Sequence, residues 1–267
     1  MYAMLVHPQI DPIIFQLGPL AVRWYGLMYL LGFAVFWLLG TRRARKANSF
    51  ISPEQVGDYL FYAVLGVVLG GRVGSVLFYN FGTFLNDPIY LFRIWEGGMS
   101  FHGGLLGVLL ATWLYQRKYQ WGFFRLADFI APLVPPGLGF GRIGNFINGE
   151  LWGRETDLPW GMIFPQVDQL LRHPSQLYQA ALEGLVMFIV LWVYSSKPRA
   201  TGAVSGWFLV LYGIFRFIVE IAREPDEHIG YVAFDWLTMG QLLSLPMILA
   251  GLFLLWLAKK RVFQTHN

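Results

Sequence analysis

The sequence predicts an all-α membrane protein with seven transmembrane helices and one long connection between the fourth and fifth helices. Of its 267 residues, 56% are hydrophobic and only 13% are charged. Soluble domains carry about 25% charged residues, so this chain has roughly half the usual supply. Its apolar residues also form blocks long enough to cross a bilayer, for which about 20 residues suffice.

These hydrophobic blocks locate the seven helices along the chain. The predicted spans are residues 20–40, 56–78, 99–115, 126–141, 176–194, 204–222 and 239–257. The start of the second span is the most clearly marked. Ser52 is a capping residue, Pro53 suits the first helical position, and Gln55 is placed to close a capping box.

Lysine and arginine are concentrated in alternate loops, which predicts the orientation of the chain. By the positive-inside rule, the loops that carry most of the 20 basic residues are cytoplasmic. The N-terminus and the connection 142–175 then face outward. We therefore expect a single integral membrane domain over residues 1–267, with 142–175 as an interfacial segment on the outer side. The cytoplasmic set is Arg42, Arg43, Arg45, Lys46, Arg117, Lys118, Arg125, Lys197, Arg199, Lys259, Lys260 and Arg261.

Several classes of function are disfavoured by the composition. The chain has no cysteine, which excludes disulfides, thiolate metal sites and a cysteine nucleophile within it. The first twenty residues lack the basic region of a cleaved signal peptide, so the spans themselves are expected to direct insertion. Because the basic residues lie in short loops, we expect no nucleic-acid partner. The patterns H-E-x-x-H and G-x-S-x-G are absent, which argues against a metalloprotease and a serine hydrolase.

The basic residues outside the cytoplasmic loops are all arginines. An ionisable residue within a bilayer costs a few kcal/mol, so it needs a partner or a function. The planar fork of arginine also suits phosphate and carboxylate better than an ammonium does. These residues are Arg23, Arg72, Arg93, Arg142, Arg154, Arg172, Arg216 and Arg223.

Two of these arginines lie on one face of the sixth span. Arg216 and Arg223 share that face with Tyr212 and Glu220, at spacings of three and four residues. An Arg216–Glu220 ion pair that only fixes helix packing explains this spacing at least as well as a functional site does. Arg72, in the glycine-rich second span, has a similar packing interpretation. Asp128 and Glu183 are interpreted as ordinary polar anchors near span ends.

The stretch GFGRIGNFINGELWG, residues 139–153, contains the glycine spacing of a dinucleotide-binding turn. Such a turn needs a strand before it, a helix after it and a parallel sheet around it, and none of these is predicted here. We expect the glycines to shape an outward-facing turn at the membrane surface. The four polar residues among them favour a binding site over a purely structural loop: Arg142, Asn145, Asn148 and Glu150.

Two further candidates have structural alternatives. His102 lies in SFHGGLLG, at the outer end of the third span, where its neighbouring glycines suit close approach by a ligand or by another helix. Tyr25 follows Trp24 at the outer end of the first span, where an aromatic belt explains both residues without a function.

Several stretches together resemble the prolipoprotein diacylglyceryl transferase family. Residues 141–153 match the family signature G-R-x-G-N-F-x-N-x-E-x-x-G at every specified position. The similarity extends over nearly the whole chain in the expected order. Its other segments are RWYGLMYLLGF at 23–33, GGRVGSVLFYN at 70–80, EGGMSFHGGLLG at 96–107, RHPSQLYQAALEG at 172–184 and YGIFRFIVEIAREPD at 212–226.

The resemblance implies a seven-helix enzyme of the bacterial inner membrane, with a periplasmic N-terminus, a periplasmic 142–175 segment and a cytoplasmic C-terminus. Members of the family move the diacylglyceryl group of phosphatidylglycerol to the thiol of the lipobox cysteine in a preprolipoprotein. A thioether forms and glycerol phosphate leaves. The implied partners are phosphatidylglycerol, the signal peptide with its lipobox, and the lipid bilayer. No metal and no other cofactor is implied.

This chemistry suits the candidate residues. The single anionic phosphate of the lipid favours paired arginines, and we assign Arg142 and Arg216 to bind it and to stabilise the charge that develops on it. Glu220 is expected to orient Arg216. A thiol with a pKa of about 8.5 is only partly ionised at neutral pH, so a base helps the reaction. His102 resembles the base proposed for the family. In the alternative assignment His102 binds lipid, and Tyr25 or the arginines assist deprotonation.

The remaining signature residues have supporting roles. Asn145, Asn148 and Glu150 are expected to position either the lipid headgroup or the local loop. Gly153 is expected to serve the shape of the backbone.

A membrane transporter for an anionic lipid or solute is the alternative from another class. In that case the arginines line an anion path. Transporters often contain inverted repeats and paired broken helices, and the sequence has no matching halves. This absence disfavours transport.

Overall fold

The computed structural model describes residues 5–18, 20–93, 97–225, 230–234 and 236–261. The chain divides into two compact units, one formed by Met1–Phe36 with Asp128–Asn267 and the other by Trp37–Ala127. We call them the first unit and the second unit.

The described residues are mostly helical. The helices are α1 Trp24–Ala44, α2 Pro53–Tyr79, α3 Phe81–Asn86, α4 Phe101–Tyr119, α5 Phe123–Ile130, α6 Pro135–Ile147, α7 Ser175–Tyr194, α8 Ala203–Ala222 and α9 Met239–Lys259. Short strands accompany them. These are β1 Leu5–Val6, β2 Ile13–Leu17, β3 Leu20–Arg23, β4 Met162–Ile163, β5 Leu171–Arg172, β6 Tyr231–Ala233 and β7 Leu237–Thr238.

Five helices in the described part of the chain are long and apolar enough to cross a membrane: α1, α2, α7, α8 and α9. Large apolar side chains on their surfaces are open rather than packed inside, including Leu30, Phe61 and Leu249. Lipid hydrocarbon is the environment in which such surfaces are stable. The chain is a multi-pass membrane protein.

The third and fourth predicted spans differ in form from the other five. The third corresponds to α4, which has 19 residues and includes Arg117 and Lys118 in its last turn. The fourth is not one helix, because a 3-10 turn at Ala131–Leu133 separates α5 from α6. Proline explains the break, since Pro132 and Pro135 cannot continue the hydrogen-bond ladder of a helix. The predicted count of seven spans stays a prediction.

In the second unit, α2 and α4 pack with their backbones in contact. The start of α2 is as predicted: Ser52 accepts a hydrogen bond from the backbone N–H of Gln55, and the Gln55 side chain completes the capping box. A Cβ atom built on Gly107 would lie 1.9 Å from the carbonyl oxygen of Gly66, and one built on Gly103 would lie 2.2 Å from that of Gly70. Only glycine permits so close an approach.

In the first unit, short sheets lie outside the long helices. The hairpin of β2 and β3 leads directly into α1, so this helix begins at Trp24 rather than near the predicted position 20. Strand β1 pairs in parallel with β4, which pairs antiparallel with β5. Residues near the N-terminus are thereby joined to the 142–175 connection.

The helices of the first unit surround a core that includes Met187 and Leu191 from α7 and Val204 from α8. The sequence leaves Asp128 as an ordinary polar residue near a span end, and the structure gives it a specific role. Its carboxylate accepts hydrogen bonds from the backbone N–H of Gly202 at 2.6 Å and of Ser205 at 2.8 Å. It therefore caps the N-terminal end of α8, where unpaired N–H groups favour a negative charge.

Candidate functional site

Arg142 lies on α6, where that helix is packed against α7. A Cβ atom built on Gly139 would lie 3.1 Å from the Cα of Gly184, so the two backbones touch. One turn further along α6, the Nε of Arg142 lies 3.6 Å from Oε2 of Glu183. The glycine contact thus brings a guanidinium to a carboxylate that is far away in the sequence.

Glu183 is the main residue of this site that sequence reasoning missed. The sequence suggests an ordinary polar anchor, but the side chain of Glu183 is fully buried within α7. It lies in the segment Ala180–Val186, where α7 widens into a π-helix, a distortion often found at functional sites. A buried carboxylate is stable only with compensating charge or hydrogen bonds, and Arg142 supplies charge.

The polar face of α8 forms the second part of the site. Nη2 of Arg216 lies 2.9 Å from Oε2 of Glu220, which confirms the predicted pair, and Nη1 of Arg223 lies 3.6 Å from Oε1 of the same carboxylate. The Glu220 carboxylate packs against Gly240 at the start of α9, where an added Cβ atom would lie 2.6 Å from its Cδ. Glu220 is therefore held from three sides.

These two parts form one electrostatic cluster within the first unit. Glu183 interacts with the charges of Arg142, Arg216 and Glu220. Tyr212 on α8 interacts with Glu183 and with both of these arginines. Arg223 adds a third guanidinium beside the two carboxylates. Such a cluster can bind an anion, because the side chains of Arg142 and Arg216 stay partly exposed while the carboxylates are buried.

The polar residues after Arg142 are bonded to one another. Nδ2 of Asn145 donates to Oε2 of Glu150 at 3.2 Å, and Nδ2 of Asn148 donates to Oε1 at 3.1 Å. The backbone N–H of Glu150 donates to the carbonyl oxygen of Asn145 at 2.9 Å. These bonds hold the turn in which α6 ends. Two roles are predicted for these residues, positioning the lipid headgroup or positioning the local loop, and the structure contains the contacts of the second.

The prediction that the glycines of this stretch shape a turn is wrong for most of them. Gly139, Gly141 and Gly144 lie inside α6, where Gly139 packs on α7 and Gly144 packs on α1. Gly149, with a φ of +67°, lies in the turn itself. The physical reason is that Gly139 and Gly144 allow close helix contacts, which the spacing alone does not distinguish from a turn.

Tyr25 is part of this neighbourhood. A Cβ atom built on Gly144 would lie 2.8 Å from Cδ2 of Tyr25, so the tyrosine ring covers the glycine. The hydroxyl of Tyr25 lies 3.5 Å from that of Tyr29, which in turn interacts with the charge of Arg142. Tyr25 thus packs on the helix that carries Arg142, as well as lying at the outer end of a predicted span.

Gly153 has the backbone role that the sequence predicts. Its N–H donates to the carbonyl oxygen of His173 at 2.9 Å. An added Cβ atom would lie 2.5 Å from that oxygen and equally near the carbonyl oxygen of Ala222. No other residue fits between these two segments without moving them.

His102 belongs to the second unit. It is exposed in the first turn of α4, where the Ser100 side chain caps the helix by accepting from the N–H of Gly103 at 3.2 Å. Gly103 faces α2, so of the two uses suggested for these glycines, helix packing is the one observed. The structure therefore gathers Arg142, Arg216 and Glu220 in one unit and places His102 in the other.

Metal ligands do not cluster in the residues that the structure describes: no three His, Asp or Glu side chains there are grouped as a metal site requires. The expectation that no metal and no other cofactor takes part stays a prediction.

Comparison with known proteins identifies the family. The family model for prolipoprotein diacylglyceryl transferase matches residues 12–257. A phosphatidylglycerol–prolipoprotein diacylglyceryl transferase of Nitratidesulfovibrio vulgaris (strain DP4) is 60% identical over 252 residues, covering 94% of this chain and 96% of the relative. The enzyme of the same name from Legionella pneumophila (strain Lens) is 59% identical over 253 residues, with 95% and 99% covered. That of Chromohalobacter salexigens is 59% identical over 251 residues, with 94% and 93% covered.

The family match spans nearly the whole chain, and it includes the helices that carry the charged cluster and the turn that follows Arg142. The resemblance seen in the sequence is therefore confirmed, and the chain belongs to the prolipoprotein diacylglyceryl transferase family.

Proposed function

We propose that this protein transfers the diacylglyceryl group of phosphatidylglycerol to the thiol of the lipobox cysteine of a preprolipoprotein. The thiol loses its proton, a carbon–sulfur bond forms, the bond between the glyceryl carbon and the phosphate oxygen breaks, and glycerol phosphate leaves. Family membership supports this reaction. The observation that carries it is the pair of guanidiniums of Arg142 and Arg216, which stay partly exposed while the carboxylates beside them are buried.

Arg142 and Arg216 are proposed to bind the lipid phosphate. Their side chains retain 22% and 15% exposure, whereas their carboxylate partners are almost completely buried. Nη1 of Arg216 is a buried atom without a hydrogen-bond partner among the described residues, and a buried donor is stable only when it is paired. The carboxylates therefore fix the guanidiniums, and the unpaired Nη1 of Arg216 and the exposed part of Arg142 are proposed to donate charge-assisted bonds to an anion.

The same arginines lower the barrier to transfer. Negative charge builds on the phosphate as the carbon–oxygen bond breaks, and fixed guanidiniums stabilise that charge without reorganising. Glu220 and Glu183 are proposed as positioning residues for Arg216 and Arg142. Each carboxylate limits the rotamers of its arginine, which matters because small misplacements of such groups are costly.

His102 is proposed as the base that receives the thiol proton. Its ring is exposed, as a group that must meet a second substrate has to be. The alternative assignment is that His102 contacts lipid while Tyr25 or the arginine cluster assists deprotonation. Comparing His102→Gln with the wild type across pH separates the two, since an unchanged rate and profile would remove His102 as the base.

The turn after Arg142 is proposed to contact the lipid headgroup. Glu150 is exposed, and both of its oxygens already accept bonds from Asn145 and Asn148. This leaves the remaining lone pairs of a fixed carboxylate for headgroup hydroxyls. Gly153 supports the site through the backbone alone.

We propose seven membrane crossings, in which α4 and the broken α5–α6 segment complete the five long apolar helices. The whole chain, 1–267, is proposed to be one integral membrane domain of the bacterial inner membrane. Residues 142–175 and the N-terminus are proposed to be periplasmic, and the C-terminus cytoplasmic. Basic residues in the last turns of α1, α4 and α9 support this orientation.

A reconstituted assay tests the function. Purified protein in phosphatidylglycerol vesicles is mixed with a peptide that contains a signal sequence and a lipobox, and the product is read by mass spectrometry. We expect a diacylglyceryl thioether on the cysteine and free glycerol phosphate. Vesicles of phosphatidylcholine and a peptide with serine for cysteine are the controls. Flux of lipid or anion without any modified peptide would contradict the enzyme and favour the transporter.

A further inference from the structure

Arg72 is a buried cation that the proposed reaction does not use. It lies on α2 in the second unit and is 2% exposed. A charge removed from water costs several kcal/mol unless it is fully hydrogen-bonded, so an arginine retained here needs a structural or functional reason.

The partners of Arg72 are backbone carbonyl oxygens. Nε donates to Leu91 at 3.1 Å, and Nη2 donates to Tyr90, whose ring also lies 4.4 Å from the guanidinium carbon. Nη1 donates to Gly97 and, at 3.5 Å, to Gly98. No carboxylate is among its partners in the described part of the chain. One guanidinium thus joins two segments that both precede α4.

The contacts continue into the first turn of α4. Gly98 has a φ of +73°, and a Cβ atom built on it would lie 3.0 Å from Oγ of Ser75 and 3.3 Å from Nη1 of Arg72. The backbone N–H of Ser100 donates to the carbonyl oxygen of Gly71 at 2.9 Å. Because Ser100 caps α4, the residues around Arg72 determine where that helix begins.

We propose that Arg72 is a positioning residue for His102, which is the second residue of α4. The planar fork of arginine holds its donors in fixed directions, and the carbonyl oxygens of residues 90–91 and 97–98 accept from Nε, Nη1 and Nη2. The guanidinium therefore fixes the chain that leads to Ser100, and Ser100 fixes the helix turn that carries His102. The catalytic consequence rests on the proposed function; the effect on His102 itself does not.

Two variants of Arg72 test this proposal in the full-length protein. Arg72→Met keeps much of the side-chain bulk and removes every donor, and Arg72→Lys keeps the charge and loses the fork. For Arg72→Met we expect kcat for lipid transfer to fall by about a hundredfold, as for a displaced catalytic group. The KM for phosphatidylglycerol is expected to stay within about twofold, because the lipid-binding arginines are untouched. Arg72→Lys is expected to recover part of the loss.

A second readout reports on His102 directly. Diethyl pyrocarbonate modifies histidine rings, and peptide mass spectrometry gives the rate at each one. We expect the pH profile of modification at His102 to change in Arg72→Met, while the profile at His173 stays as in the wild type. Arg93→Met is the matched control, since Arg93 lies close by but pairs with Asp87 near the surface, and it should change neither readout.

Gly98→Ala perturbs the same contacts without altering the arginine, in case Arg72→Met does not fold. Gly97→Ala is its matched control, because both glycines have positive φ but a Cβ atom on Gly97 meets nothing within 4 Å. Gly98→Ala should lower kcat and alter His102 modification more than Gly97→Ala does. An unchanged His102 profile in both Arg72→Met and Gly98→Ala would overturn the proposal. If the variants change the modification profile of His102 but the wild-type protein transfers no diacylglyceryl group, the proposed function is overturned instead.

Discussion

Two helix pairs in this molecule both pack through close glycine contacts, but the contacts have different consequences. In the second unit, Gly66 and Gly70 of α2 meet Gly103 and Gly107 of α4, and the nearby Tyr59–Thr112 hydrogen bond at 2.9 Å is neutral. In the first unit, a single glycine contact joins α6 to α7, and the next turn of α6 carries Arg142 to Glu183.

The difference teaches what close glycine packing can do in a membrane. Along α2 and α4 it lets the backbones touch over several turns, so it contributes mainly stability. Between α6 and α7 it covers one turn and brings two charged groups together, so it contributes mainly the geometry of the site. Changes at the first interface should therefore lower stability, and changes at the second should lower activity.

The largest effect is expected from Arg142→Lys. Lysine keeps the charge but loses the planar fork, so one of the two donors to the phosphate is lost and the bond to Glu183 is rearranged. We expect kcat/KM for transfer to fall by about 10²- to 10³-fold, as when a transition-state donor is removed. The measurement is the vesicle assay on folded protein, with Arg117→Lys as the control. Near-normal turnover would show that Arg142 does not bind the phosphate.

The next largest effect is expected from exchanging the charges of Arg216 and Glu220. The double variant Arg216→Glu with Glu220→Arg keeps an ion pair on α8 but places the carboxylate where the phosphate should bind. It also places a guanidinium against Gly240, where the Glu220 carboxylate now packs. We expect activity to stay at least about tenfold below the wild type, because uncompensated groups near a charged ligand are costly. Activity close to that of the wild type would show that Arg216 and Glu220 form only a packing contact.

A pair of alanine variants compares the two glycine interfaces directly. Gly107→Ala should lower the free energy of unfolding by about 1–3 kcal/mol, because overpacking at a backbone contact forces the helices apart. Gly139→Ala faces a looser contact of 3.1 Å, so it should cost less stability but displace Arg142 from Glu183 and lower turnover. Denaturation in detergent and turnover per folded molecule measure the two effects.

Gly141→Ala is the control for that comparison, since an added Cβ atom there meets nothing within 4 Å. Its stability should match or slightly exceed that of the wild type, because alanine favours the helix. If Gly139→Ala cost as much stability as Gly107→Ala and left turnover unchanged, the two interfaces would not differ in purpose.

The smallest effect concerns an ion pair outside the spans. The guanidinium of Arg172 holds the pKa of Asp168 below its ordinary value, with a bond of 2.6 Å between Nη2 and Oδ2. A carboxyl with a lowered pKa stabilises the fold above its unfolded pKa of about 3.9, and this contribution is lost as pH falls through the folded pKa. Because the pair is partly exposed, we expect no more than about 1 kcal/mol.

This contribution is measured by comparing the thermal midpoints of the wild type and of Asp168→Asn between pH 7 and pH 3. That is roughly the range over which a carboxyl of this kind titrates. The difference between them should shrink on acidification. If the difference in thermal midpoint stayed constant with pH, the ion pair would make no pH-dependent contribution to stability. Either way, this exposed pair should matter far less than the buried pairs of the charged cluster, which sharpens the contrast between them.

Sequence patterns predicted most of the long helices and much of the site, because both depend on local spacing. Hydropathy located α1, α2, α7, α8 and α9 to within a few residues, and a spacing of four predicted the Arg216–Glu220 pair. The same reasoning predicted the broken fourth span poorly, since hydropathy does not register how Pro132 and Pro135 interrupt a helix.

By itself, the sequence determined that the chain is a membrane protein and which family it belongs to, and it predicted that Arg142 and Arg216 bind the phosphate. These conclusions follow from composition, from the signature at 141–153 and from residues close together along the chain. Only the tertiary structure decided that Glu183 is the partner of Arg142, that the glycines of residues 139–144 belong to a helix, and that Arg72 anchors the start of α4. The physical reason is the same each time: these contacts join segments that are distant in the chain, and local periodicity carries no information about which distant backbone will approach.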